Sequence, residues 1–275
     1  MKLKGKIISE IEALNGAYTK SEEKIKSYLL SDLLNVIHLS VTELAEEIGV
    51  GETTIVRFCK KLGYKGYQDF KLAIAQDDTI RKRDEKISER LSDMVYHNLL
   101  AVLEDTLHLM DQNLINESIR LISESKYVYF IGIGSSGITA IEAYGKFFRL
   151  SPKFHYFTDS HFQMMAAQIM TEDDLLIVFS LSGSTKEIVD TVKEAKKKGC
   201  RVIAITNFKK SPITKYSDIV LLSSFKGDSL SGGTFAEKIS QLYILDVLFM
   251  EYLATDQQLE ENRNKTAMAV TSKKY

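Results

Sequence analysis

The 275-residue sequence predicts an α/β chain in two parts, a small all-α domain followed by a parallel sheet flanked by helices. Three observations predict it. Up to about residue 76 the apolar residues recur at helical spacing, and turn signals lie close together. From Lys126 onward, short β-branched apolar runs alternate with helical segments, the pattern of strands buried on both faces. Between the two parts, DDTIRKRDEKISER (residues 77–90) is almost wholly polar and reads as an exposed linker or a solvated helix end.

The first helical stripe is Ile25, Tyr28, Leu29 and Leu33, behind Thr19 and Glu22, which have the spacing of a capping box. Val41, Leu44, Ala45 and Ile48 form the second, with Ser40 and Glu43 as another capping box and Gly49 as its stop. Ile55, Phe58, Cys59 and Leu62 form the third, closed by Gly63. Tyr67, Phe70 and Ala73 or Ile74 mark a fourth. From Leu91 to about Ser125 the period is helical again, through Leu99, Val102, Leu103, Leu107, Ile115, Ile119 and Ile122. YVYFIGI, KFHYFTD, DLLIVFS, CRVIAIT and DIVLLSS are the predicted strands, and Thr234–Leu253 is a strongly apolar helix. Beyond Thr255 the polar stretch shows no second stripe and is expected to fray. The expected divisions are residues 1–77, a connecting segment 78–114, an α/β domain 115–255 and a polar tail 256–275.

Composition narrows the function. With 44% hydrophobic and 27% charged residues the chain can bury a core, and 36 basic against 37 acidic residues exclude a uniformly basic nucleic-acid coat. The apolar runs are strand-sized, and the N-terminus has no cleavable apolar core, so neither a membrane span nor a signal peptide is expected. Cys59 and Cys200 form no CxxC pair and read as core residues of a cytoplasmic protein. No His, Cys or carboxylate cluster has metal spacing, and no cofactor is expected. The aromatics Phe147, Phe148, Phe154, Tyr156 and Phe157 read as packing against the sheet. Arg81, Lys82 and Arg83 read as a solvated linker.

Ala45, Gly49 and Ile55 have the spacing of a helix-turn-helix. A small residue lets two helices approach, a glycine takes the left-handed turn, and an aliphatic locks the second helix on the first. The second helix would carry Thr53, Thr54 and Arg57 on its outward N-terminal turns. Arg57, Lys60, Lys61, Lys65 and Lys71 stand against Asp69 alone, while the rest of the first 80 residues is net acidic. Such a local basic face suits DNA, although helix-turn-helix geometry also serves protein interaction. LSVTELAEEIGVGETTIVRFCKKLGYKGYQDFKLAIA resembles the N-terminal domain of the RpiR/MurR family of bacterial transcriptional regulators, over about residues 1–77. Gly51 departs from that pattern, which often has Ser there.

Two loops follow predicted strands. Gly132, Gly134, Ser135, Ser136 and Gly137 follow the first, and Ser180, Ser182, Gly183, Ser184 and Thr185 follow the third. Taken alone, Gly132-x-Gly134-x-x-Gly137 with Asp159 is a dinucleotide fingerprint. The second loop fits a phosphate monoester better, because hydroxyls and free N–H groups at a helix N-terminus meet its acceptor oxygens. The two loops resemble the SIS (sugar isomerase) domain over about residues 115–255. That resemblance implies a phosphosugar held by Ser135, Ser136, Ser180, Ser182, Ser184 and Thr185, with Asp159 and His161 near the site. Glu142, His161 and Glu237 are the candidate bases for an isomerase. They form no recognisable acid–base pair, and Glu237 is as readily a helix cap or a ligand contact.

The expected protein is therefore a DNA-binding regulator of sugar metabolism with a phosphosugar effector, acting as a homodimer or higher homo-oligomer whose interface is expected at segments 91–110 and 235–253. A phosphosugar isomerase with an accessory helical domain, and a dinucleotide-dependent redox sensor, remain the alternatives.

Overall fold

The computed structural model describes residues 6–14, 18–75, 90–225 and 235–271. The polar segment with Arg81, Lys82 and Arg83 lies outside them, except for Arg90. The described residues divide into two compact units within a long helix, between Asn98 and Leu99.

The first unit contains α1 (Lys6–Ala13), α2 (Lys20–Ser31), α3 (Val41–Ile48), α4 (Glu52–Lys61) and α5 (residues 67–75). Both expected capping boxes form. Thr19 and Ser40 each accept from the N–H three residues on, and the Glu22 and Glu43 carboxylates accept from the cap N–H groups in return. Gly49 closes α3 at φ +71°, and Val50 turns the chain into α4. Ile25, Leu29, Leu44, Ala45, Ile55, Phe58 and Phe70 fill one core, as their spacing requires. α1 was not expected. Among the described side chains of its two turns, Ile7 and Ile11 reach that core, too few to register as a period.

α6 (Leu91–Leu109) spans the division. The second unit continues with α7 (Gln112–Glu124), β1 (Tyr127–Ile131), α8 (Ser135–Phe147), β2 (Phe154–Phe157), α9 (Ser160–Ile169) and β3 (Asp174–Phe179). α10 (Lys186–Lys197), β4 (Arg201–Thr206), β5 (Ile219–Leu222), α11 (Phe235–Leu253) and α12 (Gln257–Thr271) complete it. All five expected strands form one parallel sheet in the order β2-β1-β3-β4-β5. Every residue of β3, the central strand, is buried, which explains its unbroken apolar run. α7, α8 and α11 pack on one face around Phe130, Phe147 and Leu248, and α9 and α10 on the other around Leu176, Val178 and Val192. β1 lies between β2 and β3, so the chain leaves it towards one edge and returns to the other side. This is a topological switch point, where open α/β sheets bind ligands.

Two expectations change. The tail is helical rather than frayed: Leu259 is buried, Asp256 caps the first turn, and Asn262 and Thr266 donate to the carbonyls of Leu150 and Arg149. Polar residues make these contacts, so no second apolar stripe marks them. Among the aromatics, Phe147 and Phe154 are buried, whereas Phe148 and Tyr156 are exposed on the outer side. The thiols of Cys59 and Cys200 are buried as expected, and burial pushes both up to about 12.

Phe147 meets Phe130, Phe154, Phe249 and Tyr252 with ring centroids 5.0–6.0 Å apart. Phe147→Ala should cost about 3–5 kcal/mol, the usual range for a core aromatic. Urea unfolding followed by circular dichroism checks this, and a loss below 1 kcal/mol would show that the cluster tolerates the cavity.

Candidate functional site

The first loop leaves β1 at Gly132. Ile131 pairs with Val178 in the neighbouring strand, so the loop after β1 and the loop after β3 emerge side by side. A Cβ on Gly132 would stand 2.5 Å from the Ser136 carbonyl oxygen, and one on Gly137 3.1 Å from the Gly132 oxygen. The glycines thus allow α8 to start immediately beyond the strand. Gly134 caps α8 at φ +61° and offers no side chain to its first-turn N–H groups. Ser135 is exposed and Ser136 buried.

The second loop turns at Gly183, with φ +60°. A Cβ there would overlap the Ser211 side chain and press on Ile213. The Ser182 hydroxyl accepts from the N–H of Ser184 at 3.3 Å and from its hydroxyl at 3.1 Å. Thr185 occupies the cap of α10 without a side-chain cap bond. Ser180 is buried, while Ser182, Ser184 and Thr185 are half-buried. All six expected hydroxyls therefore stand in the paired loops at the switch point. α9 differs, since its N-terminus is closed by Asp159, which accepts from the N–H groups of His161 and Phe162 at 3.0 and 3.1 Å. Asp159 thus serves as the cap of α9, through one of its two carboxylate oxygens.

Among the candidate bases, Glu142 and His161 are exposed, and Glu237 is half-buried in the first turn of α11. One turn after Glu237, Gln241 accepts from the Thr139 hydroxyl of α8 at 3.3 Å.

Two glutamines and a serine escaped sequence reasoning. Gln163 is fully buried and its Nε2 donates to the carbonyls of Gly132 and Phe157, 2.8 and 2.9 Å away, tying the first loop to the end of β2. Gln241 and Ser211 are the others. An isolated polar residue in an apolar helix or a turn carries no spacing signal.

In the first unit, α4 presents Thr53, Arg57 and Lys60 at the surface, with Thr54 half-buried; Lys65 is exposed just beyond the helix. Thr42 on α3 donates to Glu52 at 2.6 Å and locks the two helices. Lys61 is ion-paired with Glu22 at 2.9 Å and lies 5.1 Å from the Tyr18 ring centre. Lys71 does not belong to the basic face. It is buried, with Nζ donating to the Leu39 carbonyl at 2.8 Å, because the period of α5 turns it inward.

Residues 5–80 match the helix-turn-helix domain of the rpiR family, and residues 121–251 match the SIS domain. An uncharacterised HTH-type transcriptional regulator of Clostridium perfringens is 36% identical, over 96% of this chain and 98% of its own length. The chain belongs to the rpiR family. The rpiR-family chain is also 28% identical to the HTH-type transcriptional regulator HexR of Escherichia coli, over 90% of this chain and 86% of that protein. The Vibrio vulnificus NanR protein, solved in complex with ManNAc-6P, superposes with a TM-score of 0.85 at 27% identity, covering 98% of this chain and 99% of that one. Among the described residues of this rpiR-family protein, no His, Cys or carboxylate group is placed to hold a metal, and no helix is long and apolar enough to cross a membrane.

The packing of Gly183 on Ser211 yields a stability test. Gly183→Ala should cost at least about 1–3 kcal/mol through overpacking. Ser211→Ala removes a buried hydroxyl that has no partner, so it should be neutral or stabilising and should relieve part of the Gly183→Ala cost in the double variant. Thermal unfolding of the three variants checks this; additive effects would separate the two residues.

Proposed function

We propose that this chain is a cytoplasmic transcriptional regulator of sugar metabolism, which reads operator DNA with α4 and senses a phosphosugar at the loops after β1 and β3. The observation that carries the reading is the pairing of two hydroxyl-rich helix N-termini, without side-chain caps, on adjacent strands at the switch point. A phosphate monoester brings about 1.5–2 negative charges and three acceptor oxygens, and N–H groups with hydroxyls satisfy them without a buried cation. Ser135, Ser136, Ser180, Ser182, Ser184 and Thr185 face that phosphate in this reading, and Glu237 accepts from a sugar hydroxyl. The likeness to NanR with ManNAc-6P supports the same class of ligand.

Sensing without turnover fits the site better than isomerisation. Two of the three candidate bases lie on exposed helix surfaces, and Glu237 has no second acid beside it in the same turn. A homodimer fits the helices: α6 exposes Leu91, Val95, Leu100 and Leu107, and α11 exposes Met250. Two-fold symmetry would set two copies of α4 on two half-sites.

Arg57→Ala should weaken binding to a duplex selected on the wild-type protein by about 1–3 kcal/mol, if Arg57 reads a guanine edge. Lys60→Ala should weaken all duplexes alike and lower the salt slope by about 1. Fluorescence anisotropy across a salt titration measures both. Wild-type affinity in the two variants would take the reading head away from α4.

Ser182→Ala and Thr185→Val should each reduce phosphosugar affinity about ten- to a hundredfold, the loss of one hydrogen bond to a charged group. Duplex binding without ligand should be unaffected. Calorimetry against N-acetylmannosamine 6-phosphate and a panel of other hexose and amino-sugar 6-phosphates, with inorganic phosphate alongside, is the measurement. Unchanged affinity would move the phosphate elsewhere, and isomer formation by the wild type would make the domain an enzyme.

A further inference from the structure

A chain of polar groups, buried at its inner end, runs from each of the two loops to α6, and the two chains meet at one atom. That atom is the hydroxyl oxygen of Thr106, which is fully buried. It accepts from the backbone N–H of Ser224, just beyond β5, at 3.2 Å, and lies 2.7 Å from the Ser240 hydroxyl on α11. It also lies 2.6 Å from the Val102 carbonyl of its own helix. A threonine hydroxyl has one proton, so with that proton on Val102 the bond from Ser240 runs towards Thr106.

Each partner leads on to a loop. The Ser223 hydroxyl, next to Ser224, pairs with Asn207 Oδ1 at 2.6 Å, and the Asn207 N–H donates to the Leu181 carbonyl in the second loop at 3.0 Å. On the other side, Gln241 follows Ser240 and accepts from Thr139, whose hydroxyl also reaches the Ser135 carbonyl at the start of α8, 3.5 Å away. Glu237 stands one turn earlier on α11.

We propose that Thr106 is the positioning residue through which phosphosugar binding at the two loops is transmitted to α6, and along that helix to the DNA-reading unit. The inference rests on the sensor reading above and assigns its coupling to one side chain. Two arguments carry it. Val102 and Thr106 are the buried residues of α6, so the hydroxyl is a large part of what seats this helix on its domain. The bonds at Thr106 are also buried, and breaking one leaves a desolvated N–H or hydroxyl without water to replace it. A shift of β5 or α11 is therefore followed by α6 rather than absorbed at the contact. A valine of almost the same shape would fill the position with more apolar contact, so packing does not explain the hydroxyl.

The test measures two affinities in full-length protein: that for the 6-phosphate of the panel above that raises the wild-type melting temperature most, and that for the selected duplex with and without this sugar phosphate. Thr106→Val should bind the sugar phosphate and the bare duplex within about threefold of wild type, yet lose most of the ligand-induced change in duplex affinity, the coupling factor. Thr106→Ser should restore the coupling factor, and Ser240→Ala should lower it in part. A Thr106→Val protein with wild-type coupling would overturn the proposal, as would coupling that falls only in proportion to ligand affinity. Should Thr106→Val not fold, Ser240→Ala decides, and unchanged coupling there overturns it. A wild-type protein whose duplex affinity ignores every sugar phosphate in the panel refutes the sensor reading itself, and this inference with it.

Discussion

β1 lies between β2 and β3, and the crossovers after β1 and β3 pack on opposite faces of the sheet. The ends of β1 and β3 therefore stand about one strand spacing apart, roughly 4.8 Å, and the loops that lead into α8 and α10 leave them side by side. Everything at the candidate site depends on keeping that gap narrow. Gly132 is squeezed against the Ser136 carbonyl and Gly183 against Ser211, so neither position accepts even a methyl group without displacing a helix start or a loop. Gln163 then holds the first loop by its carbonyl, and Ile213 the second, through its N–H to the Gly183 oxygen at 2.9 Å. Within the second loop the Ser182 and Ser184 hydroxyls bond to each other across the turn.

The chemistry of the gap follows from what closes each helix. α9 has an aspartate at its N-cap, and the carboxylate both bonds and neutralises the positive end of that helix. α8 and α10 have Gly134 and an unengaged Thr185 side chain in the equivalent place. Three helices begin at the same edge of one sheet, and the two at the switch point keep their dipole ends open. Sequence composition alone would treat all three as ordinary turns.

Much of this was legible in the residues. Strands were marked because burial on both faces demands continuous apolar runs, and both capping boxes because their geometry is local and set by a three-residue spacing. The Gly and Ser loops were marked because the chain has to turn where the strand stops. The six hydroxyls came from the resemblance of the two loops to the SIS domain, and their adjacency came from strand order, which no single segment encodes. α1 and α12 were missed for one reason: each is held by a handful of contacts to distant residues, such as Asn262 with Leu150, that leave no period.

The basic face shows where local reading stops. Five cations between residues 57 and 71 look alike in sequence, yet their fates are set by partners far along the chain. Lys61 is held by Glu22, 39 residues earlier, and that carboxyl lies below its usual range because the Thr19 N–H and then Lys61 stabilise its charged form. Lys71 is turned onto Leu39, 32 residues earlier. Lys71 is withdrawn from the surface, whereas Lys61 stays exposed beside Arg57, Lys60 and Lys65 with its charge offset by Glu22. In the reading proposed above, a head with fewer uncompensated outward charges depends less on bulk attraction to phosphate, since each phosphate contact adds to the salt slope. Preference among duplexes, in that proposed reading, then falls more heavily on what Arg57 and the two threonines of the first turn can reach.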